Sequence, residues 1–288
     1  MSTEKTPESK ALRLFPPAPK DFDALAATAE ERKRHGLPRR PDPHTEPGLA
    51  ALWERQARRY HGFDHLVPDI DVATSGENTL GSFPGLEPLE SCGYSLLSTQ
   101  STFGVLFLTW TVPDLEYVLS PSGTNQFHTF AGLGGLDVHV EMTVDPANNV
   151  TSYLWAWGIG NINLPVKPGD LMSGLLCLEA NPQGTATYFL ANETTGQTIN
   201  LFLEETGLPP AVTVNAGVTR SGASDQPPDF NSLARFGAVY FDEISVYSSN
   251  GPKLLTSGQA TTMVNENGST LATPVILNEY AFKTVYAA

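Results

Sequence analysis

Cysteine is almost missing from this chain of 288 residues: Cys92 and Cys177 stand far apart, which excludes a disulfide framework and leaves two free thiols or one bridge. Charge is sparse too, at 17%, and Ala/Glu/Lys/Leu-rich runs are scarce outside the N-terminal quarter, which argues against a helical bundle. No apolar run approaches the roughly 18 to 20 residues needed to span a bilayer as a helix, so no membrane partner is expected. The opening residues carry charges but neither an apolar core nor a small-residue cleavage site, which makes the cytoplasm the expected location, with secretion by another route left open. Basic residues nearly vanish after position 72. Residues 1–72 hold twelve Lys/Arg and twelve Asp/Glu, whereas the remainder holds five bases against nineteen acids and carries the whole net charge of −14. Such a surface repels phosphate backbones and argues against nucleic-acid partners. Also missing are GxSxG, HExxH, CxxC, a phosphate loop and a GxGxxG that opens a helix.

What is abundant is punctuation. With 25 Gly and 23 Pro, the chain beyond Tyr94 reads as short strands separated by turn signals such as Lys167–Asp170 (KPGD). Expected strands cover 94–97, 103–112, 136–144, 151–157, 171–178, 185–191, 197–203, 211–219, 238–247, 271–277 and 281–286. Strands at that spacing mean a sandwich or barrel. The N-terminal part predicts a helix over Asp21–His35, acidic at its start and basic at its end, and a second from Pro47 to Tyr60 with Leu49, Leu52, Trp53 and Gln56 at helical spacing. The expected organisation is a charged, Pro-rich, partly helical extension over 1–72, a linker over 73–91 and a β-domain over 92–288.

One strand concentrates titratable groups. Alternation along Leu136–Val144 puts Asp137, His139 and Glu141 on one face and Val138, Val140, Met142 and Val144 on the other. Such a face is either a cleft whose neighbouring acids divide acid and base roles or the solvated side of an antiparallel sheet. A metal site of His128, His139 and Glu141 has no spacing signature behind it, and neither metal nor cofactor is expected. Trp110, Tyr153, Trp155 and Trp157 fall in expected strands and form either core or the floor of a groove for peptide or sugar. GlyLeuGlyGly at 132–135 feeds a strand, so it reads as a tight bend.

Seven words occur in order: Phe103–Pro113 (FGVLFLTWTVP), Phe130–Gly135 (FAGLGG), Tyr153–Trp157 (YLWAW), Lys167–Asp170, Asn192–Gln197 (NETTGQ), Leu233–Phe241 (LARFGAVYF) and Leu271–Tyr286 (LATPVILNEYAFKTVY). Together they resemble the glutamic peptidases, or eqolisins, across about residues 92–287. The run Gly36–Pro43 (GLPRRPDP) resembles the leader of bacterial members without a signal peptide. The resemblance implies an all-β, concanavalin A-like sandwich of two antiparallel sheets whose concave face holds extended polypeptide, with a helical N-terminal extension. It also implies that a Gln and a Glu on separate strands activate water and stabilise the oxyanion at acid pH. Carried over by position, Glu141 stands where the family has its Gln, Thr219 or Arg220 where it has its Glu, and Ser91 where it has a Trp.

Both catalytic positions are therefore changed. A Glu141–Arg220 ion pair across the groove would hold the carboxyl ionised and remove the proton the mechanism uses. The leading expectation is a catalytically impaired relative that binds extended polypeptide in the groove, lined by Asp137, His139, Trp110, Tyr153, Trp155, Trp157 and Glu179. The alternatives are an acid endopeptidase with a relocated catalytic set drawn from Asp137, His139 and Glu179, and a glycan-binding or structural β-sandwich whose groove the N-terminal arm covers.

Overall fold

The computed structural model describes residues 11–69, 86–120, 123–179, 184–204, 206–220 and 233–287. The N-terminal part contributes β1 (Ala11–Arg13), α1 (Ala29–Arg34), α2 (Pro47–Arg59) and β2 (Asp64–His65). There follow β3 (Ser91–Leu97), β4 (Phe103–Thr111), β5 (Asn125–Leu133), β6 (Leu136–Val144), β7 (Val150–Ala156), β8 (Gly160–Ile162), β9 (Leu171–Glu179), β10 (Thr185–Asn192), β11 (Gln197–Glu204) and β12 (Thr213–Thr219). The chain ends in β13 (Ala238–Ser248), β14 (Gly251–Lys253), β15 (Gln259–Thr261), β16 (Met263–Val264), β17 (Thr270–Asn278) and β18 (Ala281–Tyr286).

These strands make two sheets. The larger runs β1-β11-β10-β9-β4-β13-β18-β17-β16, with β14 added at β13 and β2 at β11, and the smaller runs β15-β3-β12-β5-β6-β7-β8. Every pairing is antiparallel except that of β2 with β11. Alternate residues of both sheets meet between them: Leu106, Leu108, Trp110, Leu176, Tyr188 and Phe282 from the larger sheet pack against Phe127, Val138, Val140, Met142, Leu154 and Val218 from the smaller. The β-sandwich follows from this alternation, since each sheet must hide one apolar face and two such faces hide each other.

Sequence and structure part in several places, and the short strands β1, β2, β8 and β14 to β16 are all outside the expected set. The strand β5 is absent from the expected set because both of its faces are buried, which blurs the polar alternation on which such a reading depends. The first helix is only Ala29–Arg34. Thr28 caps it, with its hydroxyl accepting from the Glu31 N–H and the Glu31 carboxylate accepting from the Thr28 N–H, while Asp23 draws the amides of Leu25 and Ala26 into a turn upstream. Finally, β3 begins at Ser91, the last residue assigned to the linker, and most of the remaining linker stretch, 73–85, lies outside the described residues. Gly134, at φ +60°, makes the bend between β5 and β6, and a Cβ at Gly132 would lie 2.3 Å from Asn215 Oδ1. Both cysteines are free, Cys92 on β3 and Cys177 on β9, and burial pushes each thiol up to about 12.

The N-terminal part rests on the outer face of the larger sheet. From the end of α2, Arg59 donates to the Glu243 carboxylate at 2.7 Å and to Glu193 Oε2 at 2.8 Å, and the Tyr60 hydroxyl lies 2.7 Å from Ser173 Oγ. The Tyr60 ring packs on Phe189 at 4.8 Å. A balanced extension thus meets the acidic sandwich through an arginine. Removal of the guanidinium leaves the mostly buried Glu193 carboxylate without its cation, so Arg59→Ala is expected to cost about 2 kcal/mol and Tyr60→Phe about 1 kcal/mol. Urea denaturation midpoints of the two variants check this.

Candidate functional site

The strand face that carries Asp137, His139 and Glu141 is the outer face of the smaller sheet, since the intervening residues of β6 belong to the core. Register assembles that face in rows. Ser91, Thr219, His128, Glu141 and Tyr153 are successive cross-strand partners on β3, β12, β5, β6 and β7. The next row is Gly217, Phe130, His139 and Trp155, and the one beyond it holds Asn215, Gly132 and Asp137. Thr219 and Glu141 therefore share a face two strand spacings apart, about 10 Å, with His128 between them.

The face is closed at one end and open at the other. Ser91, Thr219 and His128 are 1–2% exposed, whereas Glu141 is half-buried and Tyr153 is 47% exposed. At the closed end the hydroxyls are committed: Thr219 Oγ1 donates to the Glu90 carbonyl at 2.9 Å, and Ser91 Oγ donates to the Glu87 carbonyl at 3.0 Å. In the middle His139 Nδ1 lies 2.9 Å from Asp137 Oδ2, a carboxylate–imidazole pair held by two residues of one strand. Three flat rings then stack across β5, β6 and β7, His128 diagonally on His139 at 5.5 Å and 9°, and His139 on its row partner Trp155 at 6.2 Å and 5°. Burial, helped by the neighbouring His139, holds the His128 imidazole down at about 3, so it is neutral at ordinary pH.

The carried-over residues fall out as follows. Glu141 and Thr219 lie on the expected face. Arg220 occupies the bend just past β12 with its side chain buried and its N–H donating to the Glu90 carbonyl at 3.2 Å, and among the described residues Glu141 forms no ion pair with it. Tyr153 and Trp155 also lie on this face. Trp110 does not: it is buried between the sheets, where its ring would crowd any Cβ at Gly174. Trp157 follows the end of β7 and packs on the core, because β7 stops at Ala156 and the alternation stops with it. Glu179 ends β9 on the outer face of the larger sheet, on the opposite side of the molecule from Asp137 and His139. The relocated trio of Asp137, His139 and Glu179 is thus not assembled. Nor do His128, His139 and Glu141 form a metal group among the described residues. Imidazole lone pairs lie in the ring plane, so two nearly parallel stacked rings do not aim them at one ion.

The residue that sequence reasoning undervalued is His128, weighed only as a metal ligand and placed in no strand. Neither of its ring nitrogens has a hydrogen-bond partner among the described residues. An unfolded His128 takes up a proton as pH falls below about 6.5, while the folded one stays neutral down to about 3. Between those values the unfolded state binds more protons, so stability is lost as the pH is lowered, by up to about 1.4 kcal/mol per unit from this residue. Denaturation of His128→Leu at pH 7, 5 and 3.5 is expected to show a shallower acid loss than the unaltered chain; an identical slope would mean that His128 is charged in the fold.

Comparison with known proteins adds to this geometry. The family described as "Peptidase A4 family" matches residues 90–286. Among solved structures, scytalido-glutamic peptidase with a transition-state-analogue inhibitor superposes with a TM-score of 0.53 at 19% identity, covering 69% of this chain and 98% of that one. SCP-B, a member of the eqolisin family solved with the tripeptide Ala-Ile-His, gives 0.54 at 19% identity with the same coverage. At that identity the likeness is one of fold. No curated protein matches the chain.

Proposed function

Since this chain belongs to the peptidase A4 family, the glutamic peptidases or eqolisins, we propose that it binds extended polypeptide along the outer face of its smaller sheet and has lost the family's acid chemistry. One observation carries the reading. Across His128 from Glu141 stands Thr219, a hydroxyl already donating to a backbone carbonyl, so the row holds one carboxyl and no amide partner for it. Acid hydrolysis by an amide–carboxyl pair needs a carboxyl to take a proton from water and an amide to steady the oxyanion. Here the one carboxyl stands at the position carried over for the amide, and no amide faces it in the row. Binding needs less: an open sheet face with rings for apolar contact, and Tyr153 and Trp155 supply them beside Glu141. The eqolisin solved with a tripeptide supports polypeptide as the ligand class.

A second reading is favoured by the Asp137–His139 pair, because a histidine oriented by a carboxylate is the usual form of a general base near neutral pH. The two readings separate by pH. Incubation with unfolded casein across pH 2 to 8 is expected to give no cleavage at pH 3 to 4 above a Glu141→Ala control, since loss of one member of a catalytic pair commonly costs about two to three orders of magnitude. Fluorescence anisotropy with labelled unfolded casein is expected to show binding that Tyr153→Ala weakens by about tenfold, roughly 1.4 kcal/mol. Acid proteolysis by the unaltered chain would overturn the first reading, and cleavage near pH 7 abolished by His139→Ala would establish the second.

A further inference from the structure

The outer face of the larger sheet carries one uncharged row beneath the N-terminal part. Phe202, Thr187, Cys177, Val105 and Tyr247 are successive cross-strand partners on β11, β10, β9, β4 and β13. Four strand spacings make that row about 19 Å long. All five side chains are only half-buried. They line a cavity of about 790 Å³, in the upper range for small-molecule pockets, to which the N-terminal part contributes Leu37, Leu49 and Trp53. A straight, mostly apolar trough of this length suits one extended hydrocarbon chain.

The two ends of the trough differ in charge. At the β11 end the row continues into Arg13 on β1, the partner of Phe202. The Arg13 guanidinium lies over the Phe15 ring at 5.1 Å, and Phe15 packs on Phe202 at 6.1 Å. A Cβ at Gly36 would lie 2.3 Å from the Phe15 ring, and the Gly36 N–H donates to the Lys33 carbonyl at 3.1 Å, so the end of α1 is brought to the same place. The Arg13–Glu204 pair is long, at 3.6 Å, and exposed, which makes it weak. Lys33 forms no ion pair among the described residues. At the β13 end α2 approaches through Gly48, where a Cβ would lie 3.2 Å from the Tyr247 ring, and the lining there is Thr102, Ser248 and Ser249 with Glu46. Around the whole cavity five basic side chains stand against the acids Glu30, Glu46 and Glu179, in a chain whose net charge is −14.

We infer that this cavity binds a long-chain carboxylate, its hydrocarbon tail lying along the row from Phe202 to Tyr247 and its carboxylate held by Arg13 and Lys33. Burial of the tail supplies affinity, and the two cations select the head group, since a cationic head would meet like charge there. The site lies on the opposite side of the sandwich from Glu141 and is independent of the polypeptide reading.

Titration calorimetry on the full chain compares three probes that share one tail, each below its micelle concentration: tetradecanoate, tetradecan-1-ol and tetradecyltrimethylammonium. Tetradecanoate is expected to bind tighter than either of the others by at least about tenfold. That order runs against the net charge of the chain, so non-specific attraction does not produce it. Arg13→Ala combined with Lys33→Ala is expected to weaken tetradecanoate by at least about tenfold and to leave tetradecan-1-ol unchanged. Cys177→Trp, which fills the middle of the trough, is expected to bind none of the three. Equal or tighter binding of the ammonium probe, no binding of tetradecanoate, a preference for the anion that survives loss of both bases, or undiminished binding by Cys177→Trp would each overturn the proposal. Should Cys177→Trp not fold, the three-probe comparison on the unaltered chain and on the variant lacking both bases decides.

Discussion

An imidazole enclosed away from water stays neutral because its charged form has no solvent to stabilise it, and His128 stands in that condition on a middle strand of the smaller sheet. Much of the outer face is arranged around it. To one side Thr219 and Ser91 turn their hydroxyls into the backbone, and to the other Glu141 and Tyr153 open towards solvent. Above it the rings of His139 and Trp155 stack in near-parallel planes, with Asp137 fixing the first of them. A sheet face built for acid catalysis would place at this point a group that tolerates protonation. This one places a group whose protonation works against the fold.

The sheet and its partner had unequal visibility in the sequence. The strands whose polar and apolar residues alternate were legible, and Leu136–Val144 is the clearest case, its two residue sets falling on the core and on the outer face as alternation requires. Carry-over by position also put Glu141 and Thr219 on one face. The residues that escaped did so for a common reason. Asn125–Leu133 is buried on both sides, so its pattern is close to that of any apolar stretch, and with it went His128. The groove aromatics were overcounted because alternation within one strand says nothing of which sheet the strand joins: Trp110 is inward-facing in the larger sheet, and Trp157 lies beyond the last paired residue of β7. Glu179 was grouped with Asp137 and His139, but sheet order puts β9 in the larger sheet and β6 in the smaller, so the thickness of the sandwich separates them.

The two sheets also divide the work differently. The smaller one keeps its polar residues in rows set by register, which gives positions fixed to fractions of a strand spacing. The larger one is roofed by a segment held by Arg59 and Tyr60 and by the pairing of β1 and β2 with β11, so the space beneath it is shaped by helix docking and is less closely filled.

Without β1 and β2 the strand β11 would end the larger sheet, and an uncovered last strand is a template for any other chain with backbone groups to pair. Here β1 runs antiparallel to its far end and β2 parallel to its near end, pairing Ala11–Arg13 with residues 202–204 and Asp64–His65 with 197–198. The same stretch of chain that roofs the sheet therefore seals its edge at both ends. Proteolytic trimming at any bond between residues 14 and 63 would remove β1 and unseal one end of that edge while leaving the other closed, giving a sandwich with a single adhesive border, and such a border favours pairing of two trimmed copies over open-ended stacking.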